Sequence, residues 1–425
     1  MLDRILLSGY KSIKDMNLEL RNLNVLIGAN GVGKSNLISL FKLFNYLLSN
    51  SLQQYIALSG FADAILYYGA RRTPQIVATF NFSTPSGKNV YHMRLVNAAQ
   101  DTLIFADEAI SFSRNGIEGQ APITSLGAGH RESKLLDEEH FLNTANPKFN
   151  QRTARVIKSI MQRWRVYHFH DTSSDAKIKK QGYINDNHYL RNDGGNLAAF
   201  LYQMRQKNEM HYKRIVTVLK SVIPFFGDFV LVPNAINPDY IILNWREQDV
   251  DPDIIFGPNQ LSDGTLRLMA LITLLLQPQP PELIIIDEPE LGLHPYAISV
   301  LAALLKSASR QTQIIVSTQS VTLVDQLEPE HIVVVNREND QSVFARLNEQ
   351  DLVTNSLDSP ELINEGDETA PSKRIINEIP EYKDNKVLIG PTVAKEIGLP
   401  KLRERCAHFN EWLGRIENLS LRIPG

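Results

Sequence analysis

One stretch of the chain has the residue types that bind a polyphosphate. It combines three glycines with a lysine and a serine, and its residues are Gly28, Ala29, Asn30, Gly31, Val32, Gly33, Lys34 and Ser35. Glycines let the backbone wrap with its N–H groups pointing inward, and a following helix adds positive potential for phosphate oxygens. Lys34 would reach the β and γ phosphates, and the Ser35 hydroxyl would be one ligand of Mg²⁺. The sequence therefore predicts a nucleoside triphosphate site.

Two consecutive carboxylates follow an apolar run much later in the chain. Asp287 and Glu288 come directly after residues 283–286, which read Leu-Ile-Ile-Ile. Ligands of doubly wound sheets bind at the carboxyl ends of parallel strands, so a metal and a reacting water belong here. Asp287 would hold Mg²⁺ through its water shell, and Glu288 would orient or deprotonate the attacking water. Taken alone, the pair is equally compatible with a strand end carrying two solvated acids.

The predicted elements place both groups at the edge of one parallel sheet. A strand-like run precedes Gly28, and apolar residues at helical spacing follow Ser35. Downstream, helix and strand alternate over residues 265–276, 283–286, 296–308, 314–316 and 332–335. This alternation is typical of a parallel sheet with crossover helices. Residues 75–112 instead read as an antiparallel meander with a turn at Pro85-Ser86-Gly87.

The same patterns divide the chain into four predicted parts. They are an N-terminal lobe, a helical lateral subdomain, a C-terminal lobe, and an acidic linker with a helical tail, at residues 1–123, 124–258, 259–350 and 351–425. Residues 124–151 are polar and predict a surface loop or a short helical insert. Residues 152–222 read as mostly helical, with one strand-like run at 166–169.

Composition limits the class of protein. The 425 residues are 43% hydrophobic and 21% charged, which is ordinary globular usage. The net charge of −3 provides no global positive field, so nucleic-acid binding would need a local patch. The single cysteine, Cys406, excludes an intrachain disulfide and favours the cytosol. The first residues do not read as a secretory signal, and no apolar run approaches the roughly 18 residues of a membrane span. We expect a cytoplasmic protein with no membrane partner.

A third motif indicates which class of nucleotidase the sequence resembles. Residues 259–265 read Asn-Gln-Leu-Ser-Asp-Gly-Thr, open an apolar helix and precede the strand that ends at Asp287. With its glycine loop, long insertion, signature, acidic strand and turn at 290–295, the chain over about 1–350 resembles the ABC-type AAA-family ATPases of the SMC, RecF and OLD-like branch. Asn30 and Asn36 also look like that branch, and the resemblance implies that both belong to the nucleotide-binding residues. The resemblance implies an α/β P-loop NTPase of the ABC/SMC-like head type, with ATP and Mg²⁺ as cofactors, a mixed sheet, a β subdomain and a helical lateral subdomain.

Two heads of such ATPases meet face to face around ATP, so a homodimer is expected. By resemblance, Ser262 and Gly264 of one copy contact the γ phosphate on the glycine loop of the other. The alternative is that Ser262 or Asp263 only caps the helix. Asp263 replaces the usual first glycine of the signature and brings a carboxylate close to the phosphates, which is expected to weaken or retune this contact unless the side chain points away. Gln319 stands where a switch histidine is often found, and because glutamine does not titrate, slow hydrolysis is expected.

The resemblance also implies a setting in bacterial antiphage defence or DNA maintenance. The alternative to a hydrolase is an ATP-bound regulatory module that controls a partner nuclease or toxin with little turnover. The tail, with runs at 371–376 and 406–413, resembles the end of an uncharacterised TOPRIM-like family encoded beside such ATPases. The acidic clusters needed for TOPRIM metal chemistry are not recognisable in it.

Weaker signals admit two interpretations. A row of cations could neutralise nucleic-acid phosphates or form a solvated helical face, and it comprises Arg152, Arg155, Lys158, Arg163 and Arg165. Lysines at 177, 179 and 180 follow in a polar loop. His168 and His170 would share a strand face, but no third metal ligand is evident. No context singles out the family's Q-loop glutamine among positions 53, 54 and 75.

Overall fold

The computed structural model describes residues 1–116 and 121–347. Its strands are β1 (Leu2–Tyr10), β2 (Ile13–Glu19), β3 (Leu23–Ile27), β4 (Gln75–Thr84), β5 (Gly87–Ala98), β6 (Thr102–Arg114), β7 (Ile123–Gly127), β8 (Trp164–Tyr167), β9 (Gly182–Tyr183), β10 (Phe226–Val230), β11 (Tyr240–Ile241), β12 (Asn244–Glu247), β13 (Leu283–Asp287), β14 (Gln313–Thr318), β15 (Ile332–Glu338) and β16 (Gln341–Arg346). Its helices are α1 (Lys34–Leu47), α2 (Leu52–Leu58), α3 (Phe61–Ile65), α4 (Pro147–Met161), α5 (Leu197–Lys207), α6 (Glu209–Val222), α7 (Asp263–Leu276), α8 (Pro295–Ala308) and α9 (Val321–Val324). The predicted linker and tail at 351–425, with Cys406, lie outside the described residues.

The chain divides into two units. The first comprises residues 1–319 and 333–345 and contains every site residue predicted above. The second comprises residues 320–332 and 346–425, of which the structure describes 320–332, 346 and 347.

A six-stranded sheet positions the predicted site. Its strand order is β16-β15-β3-β14-β13-β8, and the last four of these strands run parallel. β13 and β14 are buried along nearly their whole length, as expected for parallel strands covered on both faces. Thr318 pairs with Ile27 and Asp287 with Ser317. The glycine loop, the two carboxylates and Gln319 therefore leave neighbouring strands at one edge of the sheet.

A second, antiparallel sheet contains the predicted meander. Its strand order is β2-β1-β4-β5-β6-β7, and Pro85 and Ser86 form the turn between β4 and β5. Helix α1 joins the two sheets through aromatic packing. Phe44 contacts Phe80 of β4 with ring centroids 4.6 Å apart, and Phe41 contacts Trp164 of β8 at 5.3 Å. This buried cluster fixes the helix whose first turn follows the glycine loop.

The region between the lobes differs from its prediction in two respects. The polar segment at 124–151 was expected to form a loop or helical insert, but β7 adds a strand to the meander and α4 begins at Pro147. β7 buries only Leu126, so its sequence lacks an apolar stripe, and its pairing with β6 defines it. The second difference concerns the range 124–258 predicted for the lateral subdomain: its strand-like run is β8, which pairs with β13 in the six-stranded sheet.

Across the two described ranges, the helices are too short or too polar to cross a bilayer.

Candidate functional site

The glycine loop connects β3 to α1 through two left-handed glycines. Gly31 has φ of 80° and Gly33 has φ of 114°, a region that side chains rarely adopt. The Gly33 carbonyl accepts hydrogen bonds from the backbone N–H groups of Asn36 and Leu37 and so starts the helix. A Cβ on Gly33 would lie 2.0 Å from Ser342 Oγ. The loop therefore has the backbone geometry that the motif predicts, and Ser342 packs closely against Gly33.

Lys34 lies under this loop and is only 5% exposed. Its ammonium donates to the carbonyl of Gly28 at 2.5 Å and to that of Ala29 at 2.9 Å. Burial lowers the pKa of Lys34 from its ordinary value, while the nearby carboxylates of Glu288 and Asp287 act in the opposite direction. A buried cation within a glycine loop fits a phosphate oxyanion, and the hydroxyl of the exposed residue Ser35 fits Mg²⁺.

Three side chains, those of Asn36, Ser12 and Ser342, support the loop, and the two serines were not predicted. Asn36, which the resemblance places among the nucleotide-binding residues, donates to Ser12 Oγ at 2.6 Å. Ser12 Oγ shares a hydrogen bond with Ser342 Oγ, also at 2.6 Å, and Ser342 donates to the Val32 carbonyl. Asn36 therefore positions the loop from behind. The serines lie far away in sequence, so no local signal could have identified them.

The two acidic residues occupy different environments at the end of β13. The Asp287 carbonyl accepts a hydrogen bond from His170 Nε2 at 2.8 Å. Glu288 has left the strand conformation with φ of 43°, and its N–H donates to the Ser317 carbonyl at 2.8 Å. A glutamate in the left-handed region is strained, and such strain is characteristic of functional positions. The backbone thus turns Glu288 away from the strand direction that Asp287 follows.

Gln319 connects the acidic residues to the glycine loop. Its amide donates to Glu288 Oε1 at 2.6 Å and to Asn30 Oδ1. Glu290 accepts from the Gln319 N–H at 3.2 Å and from the Thr318 hydroxyl at 2.5 Å, which holds the end of β14 in place. The residue in the switch position thus lies between the loop and the carboxylate.

The signature residues start helix α7. Ser262 is the N-cap, and its hydroxyl accepts a hydrogen bond from the Thr265 N–H at 3.1 Å. The capping role considered as the alternative is therefore present, and Ser262 is also exposed. Gly264 packs against the turn after β13, where an added Cβ would lie 2.2 Å from the Gly292 carbonyl oxygen. This packing fixes the N-terminus of α7 against the acidic strand.

Replacing Gly264 with alanine is expected to lower the free energy of unfolding by about 1–3 kcal/mol, because the added methyl group meets backbone that cannot rotate away. Gly257→Ala is the matched control, since its Cβ would approach no described atom closer than 3.8 Å. Urea denaturation of both variants measures the difference. Equal stability of the two variants would show that the packing of α7 against the turn is not close.

The described residues match a known protein family. The family profile described as "AAA domain, putative AbiEii toxin, Type IV TA system" matches residues 23–325. The chain belongs to this AAA family. A second profile, described as "Domain of unknown function (DUF4276)", matches residues 328–417, and a TOPRIM-like character of the tail stays a prediction. No curated protein is a detectable relative of the chain.

Solved structures of SMC heads are similar to this AAA domain. An SMC head bound to the C-winged helix domain of ScpA gives a TM-score of 0.55 at 14% identity, covering 83% of this chain and 99% of that one. The SMC head domain from Thermotoga maritima gives 0.43 at 15% identity, covering 82% and 99%. The first likeness establishes the fold as a P-loop NTPase head of the ABC/SMC type. The AAA family implies a nucleotide, usually with Mg²⁺.

Most of the predicted basic row in this AAA domain is engaged by neighbours. Arg155 pairs with Glu138 at 3.0 Å, and Arg163 pairs with Glu282 at 2.7 Å. Arg165 donates to two backbone carbonyls. The row contains no acid of its own, but other elements supply them. Arg152 and Arg155 line a surface cavity of about 530 Å³, while Lys158 lies on the same helix, α4.

The remaining candidates are the possible Q-loop glutamine Gln53 and the possible metal ligands His168 and His170. Gln53 donates to the carbonyls of Leu103 and Arg131, so its amide is occupied within the β subdomain. Burial lowers the pKa of His168 to about 4, which keeps this imidazole neutral at physiological pH. Within residues 1–116 and 121–347, no group of three or more potential metal-binding side chains is present. His170 was noticed in sequence only as a possible metal ligand, whereas the structure places it on the Asp287 backbone.

Proposed function

We propose that two copies of this AAA domain bind ATP between them and hydrolyse it slowly. The observation that carries the proposal is the hydrogen bonding of Gln319, which joins Asn30 of the glycine loop to Glu288 after β13. The loop suited to a triphosphate and the carboxylate suited to activating water thus lie side by side. The exposed N-terminus of α7 at Ser262 supports contact with the nucleotide of a second copy.

Each site residue has a distinct role in this proposal. Lys34 and the loop N–H groups hold the β and γ phosphates, and Glu288 orients the attacking water and accepts its proton. Gln319 holds Glu288 beside the loop. Ser35 and Asp287 would hold Mg²⁺, which when bound neutralises charge on the phosphate oxygens. In the dimer, Ser262 and Gly264 would approach the γ phosphate from the other copy.

Phosphate release by the purified chain tests the catalytic part of the proposal. With Mg²⁺ and ATP, slow release that disappears on chelation of the metal is expected. The runner-up function is a regulatory module that keeps ATP as a structural ligand while a partner nuclease or toxin acts. ATP that stays bound and intact over hours would favour that module over a hydrolase.

Gln319→His is expected to give hydrolysis a new dependence on pH. Below the ordinary imidazole pKa of about 6.5, a protonated histidine would pair with Glu288 and withdraw the base. Turnover of the variant should therefore rise as pH increases through that value. Phosphate release measured from pH 5.5 to 8.5 in parent and variant checks this expectation. Superimposable pH profiles would remove Gln319 from its position beside the reacting groups.

The biological setting is proposed from the family alone. Its description includes a toxin of a type IV toxin–antitoxin system. We infer a role in bacterial antiphage defence or DNA maintenance, in the cytoplasm, with ATP binding coupled to a partner effector such as a nuclease or toxin.

A DNA-stimulated ATPase is a second candidate function. The cavity along α4 supports it, because Lys148, Arg152 and Arg155 all line this cavity and cations in a groove neutralise nucleic-acid phosphates. Duplex DNA should then raise the rate of phosphate release, and the increase should shrink as salt is added. A rate that duplex DNA leaves unchanged at low salt would exclude this function.

A further inference from the structure

Asp263 is an unusual residue for the N-terminus of α7, which is proposed to contact the γ phosphate of a second copy. It is the first residue of α7, next to the exposed N-cap Ser262, and its own side chain is 60% exposed. A helix N-terminus attracts anions because its free N–H groups carry partial positive charge. A carboxylate in the first turn offsets that charge. Left unbalanced, Asp263 would oppose the approach of a triphosphate from a second copy.

Lys179 supplies the balancing charge. Its ammonium lies 3.3 Å from Asp263 Oδ1 and donates to the Thr172 carbonyl at 2.5 Å. The Lys179 side chain is only 10% exposed, so its position is defined by packing. The lysine comes from the segment between β8 and β9, and Arg267 of α7 holds the start of that segment against the helix by donating to the carbonyls of Phe169 and His170. The Lys179 ammonium is therefore held against the signature helix, α7.

The neighbouring lysines do not share this arrangement. Lys177 pairs with Asp193 at 3.1 Å, and Lys180 pairs with Asp175 at 2.8 Å. Asp175 and Asp193 lie between β8 and α5, as the lysines do, and the side chain of Lys180 is 53% exposed. These pairs neutralise charges within that region. Lys179 differs because its carboxylate partner lies on the signature helix.

We propose that the Lys179–Asp263 pair belongs to the surface that receives the triphosphate of a second copy. Lys179 neutralises Asp263 and thereby preserves the attraction of the α7 N-terminus for the γ phosphate. This inference rests on the proposed function, because it requires the head-to-head dimer. Lys179 is a positioning residue here: it acts through the charge and placement of Asp263.

Four variants in a Glu288→Gln background test the pair. They are Lys179→Met, Asp263→Asn, the two combined, and Lys179→Arg, with Lys180→Met as the matched control. The dimer dissociation constant is measured by sedimentation with ATP and Mg²⁺. Lys179→Met should weaken association about tenfold at low salt, because an unbalanced carboxylate then faces the phosphates, and less at 0.5 M salt, where screening is stronger. Asp263→Asn alone should not weaken it.

The double variant distinguishes charge balance from a loss of structure. It should associate within about threefold of the parent, as should Lys179→Arg and Lys180→Met. A double variant as weak as Lys179→Met, or a Lys179→Met dimer as tight as the parent, would overturn the inference while leaving the proposed dimer intact. A parent that stays a single subunit with ATP would overturn the proposed function and this inference together. Thermal unfolding of each variant, and ATP binding by its monomer, show whether the variant is folded.

Discussion

Lys34→Ala is expected to abolish measurable ATP binding, with affinity reduced at least about a hundredfold, since charge-assisted hydrogen bonds contribute roughly 1.5–3 kcal/mol each. The Lys34 ammonium already lies under the loop, against the carbonyls of Gly28 and Ala29, so it reaches a phosphate with little rearrangement. Alanine leaves the glycine loop without its cation. Fluorescence titration with a labelled ATP analogue measures the loss.

Lys42→Ala is the matched control for this variant, because Lys42 also lies on α1 but beyond the glycine loop. It should bind ATP like the parent. A thermal unfolding curve for Lys34→Ala separates loss of the cation from loss of the fold. Retained affinity in a folded Lys34→Ala protein would place the triphosphate somewhere other than this loop.

Glu288→Gln is expected to slow phosphate release at least about a hundredfold while ATP binding persists, because a general base typically contributes 10²–10⁴-fold. The amide preserves the size of the side chain and its oxygen can still accept from Gln319, but it cannot take the proton of the attacking water. ATP should therefore accumulate intact on the protein. Single-turnover hydrolysis and recovery of the bound nucleotide measure the effect.

Glu282→Gln provides the control, since Glu282 lies just before the same strand and pairs with Arg163 at the surface. A surface ion pair contributes little, so this variant should hydrolyse ATP like the parent. Turnover of Glu288→Gln equal to that of Glu282→Gln would assign proton abstraction to another residue.

The sequence predicted most of the features that depend on neighbouring residues. The glycine loop was predicted together with its strand and helix, because left-handed glycines and a helix start are encoded within a few positions. The strand ending at Asp287 was equally evident from its apolar run. Even the helix cap at Ser262 was foreseen as an alternative to phosphate contact, and the structure contains that cap.

Features that depend on distant residues were not predicted. Nothing near β8 in sequence shows that it pairs with β13, and β7 has too few buried residues for an apolar pattern. The acidic partners of the basic row could not be seen in the sequence for the same reason, since Glu138 and Glu282 lie elsewhere in the chain. The concern that Asp263 would repel phosphate could not include Lys179, which approaches it only in the folded chain.

Light scattering of the Glu288→Gln protein tests the central claim most directly, because the proposed site is complete only when two copies meet. We predict a mass near 48.0 kDa without nucleotide and about twice that mass with ATP and Mg²⁺. Ser262→Arg in the same background should bind ATP yet keep the lower mass, since a bulky side chain at the α7 N-terminus blocks the second copy. A Glu288→Gln protein that is saturated with ATP and still has the mass of one chain would contradict the claim.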